Sequence, residues 1–219
     1  MKQAITAGRA ITVLLTVCAG CGEKRFGEEL LMPASPPQAR RLELPVKVSG
    51  QTPLNLHHVR RYASGAADAQ GHANPDGNAE AKVVLNGKGA AWVEFEVGHV
   101  FAADALPPGS LTLRLAASTR YDVTTSADAP TGFLALKAVV LNSRRRVLAR
   151  YNFRDVEIAQ AARSLSGKDD AVLTFTVDEG AAYQVILAGR IEVDSGEGAA
   201  DAEVRLAVEA PSFELTAAP

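Results

Sequence analysis

The chain is expected to be all-β: an antiparallel β-sandwich, jelly-roll or immunoglobulin-like, with about eight strands, preceded by a signal peptide and a tether. Three observations carry this expectation. From Glu80 to Leu215 the apolar runs have a period of two, that of a half-buried strand. Clusters of Gly, Asn, Asp, Ser and Pro separate the runs and favour turns. Only Val156 to Leu165 (VEIAQAARSL) has helical spacing, enough for a short helix. The Cys-Trp-Cys framework of true immunoglobulin domains is missing, so that subclass is not singled out.

The N-terminus is a separate unit. Lys2 and Arg9 give a basic start, Ala10 to Val17 (AITVLLTV) an apolar run, and Cys18-Ala19-Gly20 a set of small residues before Cys21. This is the three-part pattern of an export signal. The apolar run is far shorter than the roughly 20 residues that span a bilayer as a helix. Removal of residues 1–20 is therefore expected.

Val17 to Cys21 (VCAGC) resembles the lipobox of bacterial lipoproteins, with Cys18 standing where Leu is usual. The resemblance implies that Cys21 is the first mature residue, bearing a thioether-linked diacylglycerol and usually a further acyl chain such as palmitate. Each buried CH₂ adds about 0.8 kcal/mol, so several chains make a durable membrane anchor. The resemblance extends to Gly22, which stands where an Asp would hold such a protein at the inner membrane of a Gram-negative cell. It implies a cell-envelope protein, at the outer membrane where there is one.

Residues 21–44 then form the lipidated Cys and a tether. Phe26 to Leu31 is a short amphipathic piece with three expected states: on the membrane, on the domain, or disordered. Met32 to Gln38 (MPASPPQ) is Pro-rich and extended. Leu42 to Val48 (LELPVKV) alternates, and Pro45 confines it to an edge strand or arm. Residues 45–79 are assigned to an arm and a surface loop. The stretch 63–80 (ASGAADAQGHANPDGNAE) offers almost nothing to a core. The sandwich domain is placed at 80–219.

Within it, Lys82 to Asn86 is a first strand, and Gly87-Lys88-Gly89 is expected to be a hairpin turn. In Ala91 to Val97 the residues Val93, Phe95 and Val97 face one way. Leu111 to Leu115 alternates, and Phe133 to Leu141 is continuously apolar, as a central strand is. Asn142 to Arg145 turns into Val147 to Arg154. Leu173 to Val177, Tyr183 to Val193 and Val204 to Val208 complete the set, with Asp194 to Asp201 joining the last two.

The formal charge is −2, and −4 once Lys2 and Arg9 leave with the leader. A mildly acidic, mixed surface does not attract nucleic acid. Both cysteines lie in the leader region, so no thiol remains for a disulfide, a thiolate metal site or a nucleophile. The core must carry the stability.

Two sets of residues stand out as candidate sites. Trp92, Glu94 and Glu96 share one strand face. A Trp can stack on a sugar ring, and carboxylates about 6–7 Å apart at i and i+2 can take its hydroxyls. The bland alternative is a Trp covered by a loop or by the Leu42–Val48 arm. Asn74, Asp76, Asn78 and Glu80 are oxygen donors of the kind Ca²⁺ takes, but Pro75-Asp76-Gly77 is equally an ordinary turn. His57, His58, His72 and His99 lack converging metal-ligand spacing. No nucleophile elbow and no phosphate-cradling Gly loop occurs.

The expectation is a non-enzymatic envelope lipoprotein, without cofactor, that presents a binding or structural module. Its partners are the membrane, through Cys21, and a glycan or envelope protein. The alternatives are a carbohydrate-binding module or small carbohydrate-active enzyme using Trp92, Glu94 and Glu96, and an adhesin or assembly subunit with an exposed strand edge.

Overall fold

The computed structural model describes residues 41–49, 53–126, 130–158 and 163–219; the leader, Cys21 and residues 22–40 lie outside the described residues. Nine strands account for the fold, with no helix among the described residues. They are β1 (Val46–Val48), β2 (Leu56–Ala73), β3 (Ala79–Phe101), β4 (Gly109–Thr125), β5 (Thr131–Asn142), β6 (Val147–Glu157), β7 (Arg163–Val177), β8 (Tyr183–Asp194) and β9 (Ala200–Ala217). All pairings are antiparallel, in the order β6-β5-β8-β3-β9-β4-β7, with β2 added to β3 and β1 to β9.

The long hairpin β2–β3 makes this one sheet into two layers. Residues 90–101 of β3 pair with β8, whereas residues 79–87 pair with β9. β2 follows β3 through both parts, with a register shift between Gly65 and Ala67. The first layer is therefore β6-β5-β8 with the C-terminal part of β3 and the start of β2. The second holds the other halves of β2 and β3 with β9, β4 and β7. Glycine makes the bend possible. Gly65 has φ 67°, and a Cβ there or at Gly89 would strike the backbone of the opposite strand.

The alternation in the sequence fills the space between the layers. Val83, Leu85, Val93, Phe95, Val97, Leu113, Leu136, Val185, Leu187, Val204 and Leu206 are all fully buried there. At the far edges β6 and β7 approach each other, and the sandwich is nearly a barrel. No paired register joins them among the described residues. Arg154 of β6 instead grips Asp169 of β7, with Nη2 donating to both carboxylate oxygens at 2.6 and 2.7 Å. Thr119 also donates to Asp169.

Three readings of the sequence differ from the structure. The stretch 63–80 is not a surface loop: residues 63–73 belong to β2, paired with β3 as far as Ala73↔Ala79. Its small residues suit that place, because a Cβ on Gly71 would press on Val93 and Val59. Gly87-Lys88-Gly89 is not a hairpin turn but the bend within β3. Val156 and Glu157 end β6, and Arg163 to Leu165 begin β7, so the expected helix is strand at both ends. Pairing with neighbours overrides helical spacing here. Pro45 does sit just ahead of a short edge strand, β1.

Candidate functional site

The register of the first layer sets an aromatic row across its outer face. Tyr62 of β2 lies opposite Trp92 of β3, Trp92 opposite Glu192 of β8, and Glu192 opposite Phe133 of β5. Val93, Phe95 and Val97 point into the core, so their neighbours Trp92, Glu94 and Glu96 must point out. Tyr62 is 52 % exposed, whereas Trp92 and Phe133 are half-buried. Tyr62 and Trp92 are one strand spacing apart. Trp92 and Phe133 are two apart, roughly 10 Å.

The next row is charged: Arg60, Glu94 and Arg190 face one another. The Arg190 guanidinium carbon stands 5.2 Å from the centre of the Trp92 ring and 5.9 Å from that of Phe133. Arg190 donates to Glu94 at 3.1 Å and to Glu192 at 2.8 Å. Arg60 completes the network, with its Nη2 3.4 Å from Glu94 and 3.3 Å from Glu96. Arginine suits this position, since a planar guanidinium can stack on a ring and still bond carboxylates in its plane.

Glu94 and Glu96 share a face as their spacing implies, but they are not on an open surface. Glu96 is only 2 % exposed. Burial pushes its carboxyl up to about 7, the nearby Glu94 charge adds to this, and Arg60 opposes it. His58, opposite Glu96, is held below its usual range by burial and by Arg60. Sequence reasoning missed Tyr62, Phe133, Arg60 and Arg190. Only register could have found them, because they come from three other strands.

Of the other candidate set, Asn74, Asp76 and Asn78 are placed in the β2–β3 turn and Glu80 at the start of β3. Asp76 accepts from the backbone N–H and the side-chain amide of Asn78, both at 2.9 Å. Asn78 in turn accepts from the Ala210 N–H at 2.9 Å. Gly77 donates to the Asn74 carbonyl, and Glu80 accepts from Arg205 at 2.7 Å. These atoms shape a turn and tie it to β9. Among the described residues no group of three or more His, Cys, Asp and Glu is placed to hold a metal ion. His99 points inward instead, its ring 4.8 Å from that of Phe101.

No family model matches the chain, and no curated protein does. Solved structures similar to it include carbohydrate-binding modules from the β-sandwich superfamily, at 13% identity and a TM-score of 0.27. That match covers 71% of this chain and 56% of the other. A mannan-recognising carbohydrate-binding module is similar at 16% identity and a TM-score of 0.27, covering 74% of this chain and 95% of that one. An arabinose-bound α-L-arabinofuranosidase is similar at 15% identity and a TM-score of 0.28, over 70% of this chain. This chain spans 23% of the arabinofuranosidase's length.

Proposed function

We propose that the protein is a non-catalytic carbohydrate-binding module, held at a cell envelope by lipid on Cys21, and that the outer face of its first layer receives the sugar. The observation that carries the reading is the row Tyr62, Trp92 and Phe133. Arg190 covers part of the Trp92 and Phe133 rings, so the apolar area open to the C–H face of a sugar ring is that of Tyr62 and of the part of Trp92 outside the Arg190 contact. Glu192 in the row and Arg190 beside it supply polar atoms at the platform's edge.

The binding role of Glu94 and Glu96 is narrower than their chemistry alone suggests. Both are engaged with arginines, and Glu96 lies beneath the surface. Their part is to hold Arg60 and Arg190, which border the platform. This favours binding over hydrolysis, since neither carboxylate is open to a glycosidic bond.

A glycan array tests the proposal with the wild-type protein, Trp92→Ala and Tyr62→Ala. Wild type binds one glycan class, and each substitution weakens it about tenfold or more, which is about 1.4 kcal/mol per factor of ten. Binding that is absent in wild type, or equal in all three, refutes it.

A further inference from the structure

The outer face of the second layer carries a groove of about 610 Å³ across β7, β4 and β9. That is the size of a small-molecule site. Two rows of the sheet build it. Ser118 of β4 lies between Lys168 of β7 and Glu209 of β9, and Arg120 of β4 lies between Ser166 and Ala207. Thr119 and Val208 beside them are buried, so Ser118, Arg120, Ala207 and Glu209 point outward. At one end of the groove β4 and β9 lose register between Ala116 and Ser118, and Ala210 there has φ 48°. A bulge of this kind bends the sheet.

Charges at the border of the groove are paired. Arg205 donates to Glu80 at 2.7 Å, and Asp122 accepts from Arg120 Nε at 2.9 Å and from Ser164 at 2.6 Å. Inside the groove they are not. Among the described residues the side chains of Lys168 and Glu209 have no hydrogen-bond or ion-pair partner, and Arg120 engages only its Nε. Lys168 and Glu209 stand on either side of Ser118, roughly 10 Å apart at the backbone.

We infer that this groove binds a carboxylate-bearing unit of an acidic glycan. Lys168 and Arg120 are diagonal neighbours on adjacent strands, roughly 7–8 Å apart. One carboxylate between them meets an ammonium and the free Nη groups of a guanidinium. Glu209 only accepts hydrogen bonds when ionised, and the hydroxyls of the same sugar supply donors. Ser118 and Ser166 both donate and accept, as a hydroxyl-rich ligand requires. Among the described residues no aromatic side chain lines the groove, so the face of a neutral sugar has nothing to stack on. Glu209 also selects against a phosphate dianion, which it repels. The groove lies on the opposite layer from the aromatic row, and its chemistry is the same whether or not that row takes a sugar.

Backbone amide NMR of the full chain tests this. The probes are trisaccharides of galacturonate, mannuronate and glucuronate, with neutral galactotriose and inorganic phosphate as comparisons. At least one uronate shifts the amides of Ser118, Arg120, Ser166 and Lys168 in a saturable way. Lys168→Ala raises its Kd about tenfold and Glu209→Gln about threefold, whereas Lys168→Arg keeps most of the affinity. Trp92→Ala binds the uronate as wild type does, which separates this groove from the aromatic row. Four results overturn the inference: no uronate shifts these amides, Lys168→Ala binds as tightly as wild type, Trp92→Ala alone loses the uronate, or galactotriose or phosphate binds there equally well.

Discussion

The guanidinium of Arg190 rests 5.2 Å from the centre of the Trp92 ring while donating to Glu94 at 3.1 Å. One side chain thus joins the aromatic row to the charged row, and links β8 to β3 on their outer face. Arg190→Ala removes two ring contacts, to Trp92 and Phe133, and leaves Glu94 and Glu192 each with one fewer cation. The expected loss of stability is about 2 kcal/mol, read as a lower urea midpoint. Arg190→Lys restores only part of it, since an ammonium cannot stack and fork together. The chain has a single Trp, so the emission maximum of Arg190→Ala shifts to the red as water reaches Trp92.

Glu96 makes stability depend on pH. Its carboxyl is pushed up to about 7 in the fold, against 4.5 ordinarily, chiefly by burial. Between those values the folded state holds a proton that the unfolded chain releases. The contribution is complete below about pH 4.5 and lost as pH rises through 7, a change of about 3 kcal/mol at most. Glu96→Gln, which cannot ionise, should flatten this slope and raise the urea midpoint at pH 8 more than at pH 5. Parallel slopes for both proteins would remove Glu96 as the cause.

Much of the site was half legible in the sequence. The alternation around Val93, Phe95 and Val97 places Trp92, Glu94 and Glu96 together on the other face, as found. What alternation omits is who sits beside them. Arg60 is 36 residues from Glu96 in sequence, and Arg190 is 96 from Glu94. Their meeting is decided by strand order and register, which period two does not encode. The stretch 63–73 was illegible for a different reason. Ala and Gly carry too little apolar area to show a period, yet smallness is what lets β2 lie against Val93 and Val59. The nine-stranded sheet itself follows the expected all-β class, and the bend in β3 is marked by glycines that equally suit a turn.

Arg154 and Asp169 close the last seam. The pair is mostly buried and spans two strand edges that share no ladder among the described residues. Asp169→Asn keeps the shape and removes the charge. Amide exchange in β6 and β7 should then speed up by about tenfold, while β3 and β8 stay unchanged. Opened edges are also prone to pairing between molecules, so the variant should aggregate sooner on heating. Uniform exchange across all strands would show that the seam is held by other contacts.

Cys21 carries the anchoring half of the proposal. Cys21→Ser should abolish fatty-acid labelling and release the protein from membranes, with Cys18→Ser leaving both intact. Labelling that survives Cys21→Ser and disappears with Cys18→Ser would move the lipid to Cys18.

The most direct measurement of the binding surface is the fluorescence of Trp92 itself, the only Trp in the chain. The account predicts that a glycan selected on the array changes Trp92 emission in a saturable way, and that Tyr62→Ala raises the apparent Kd about tenfold. A bound glycan that leaves Trp92 emission unchanged, with the same Kd in Tyr62→Ala, would contradict the account and place the sugar elsewhere.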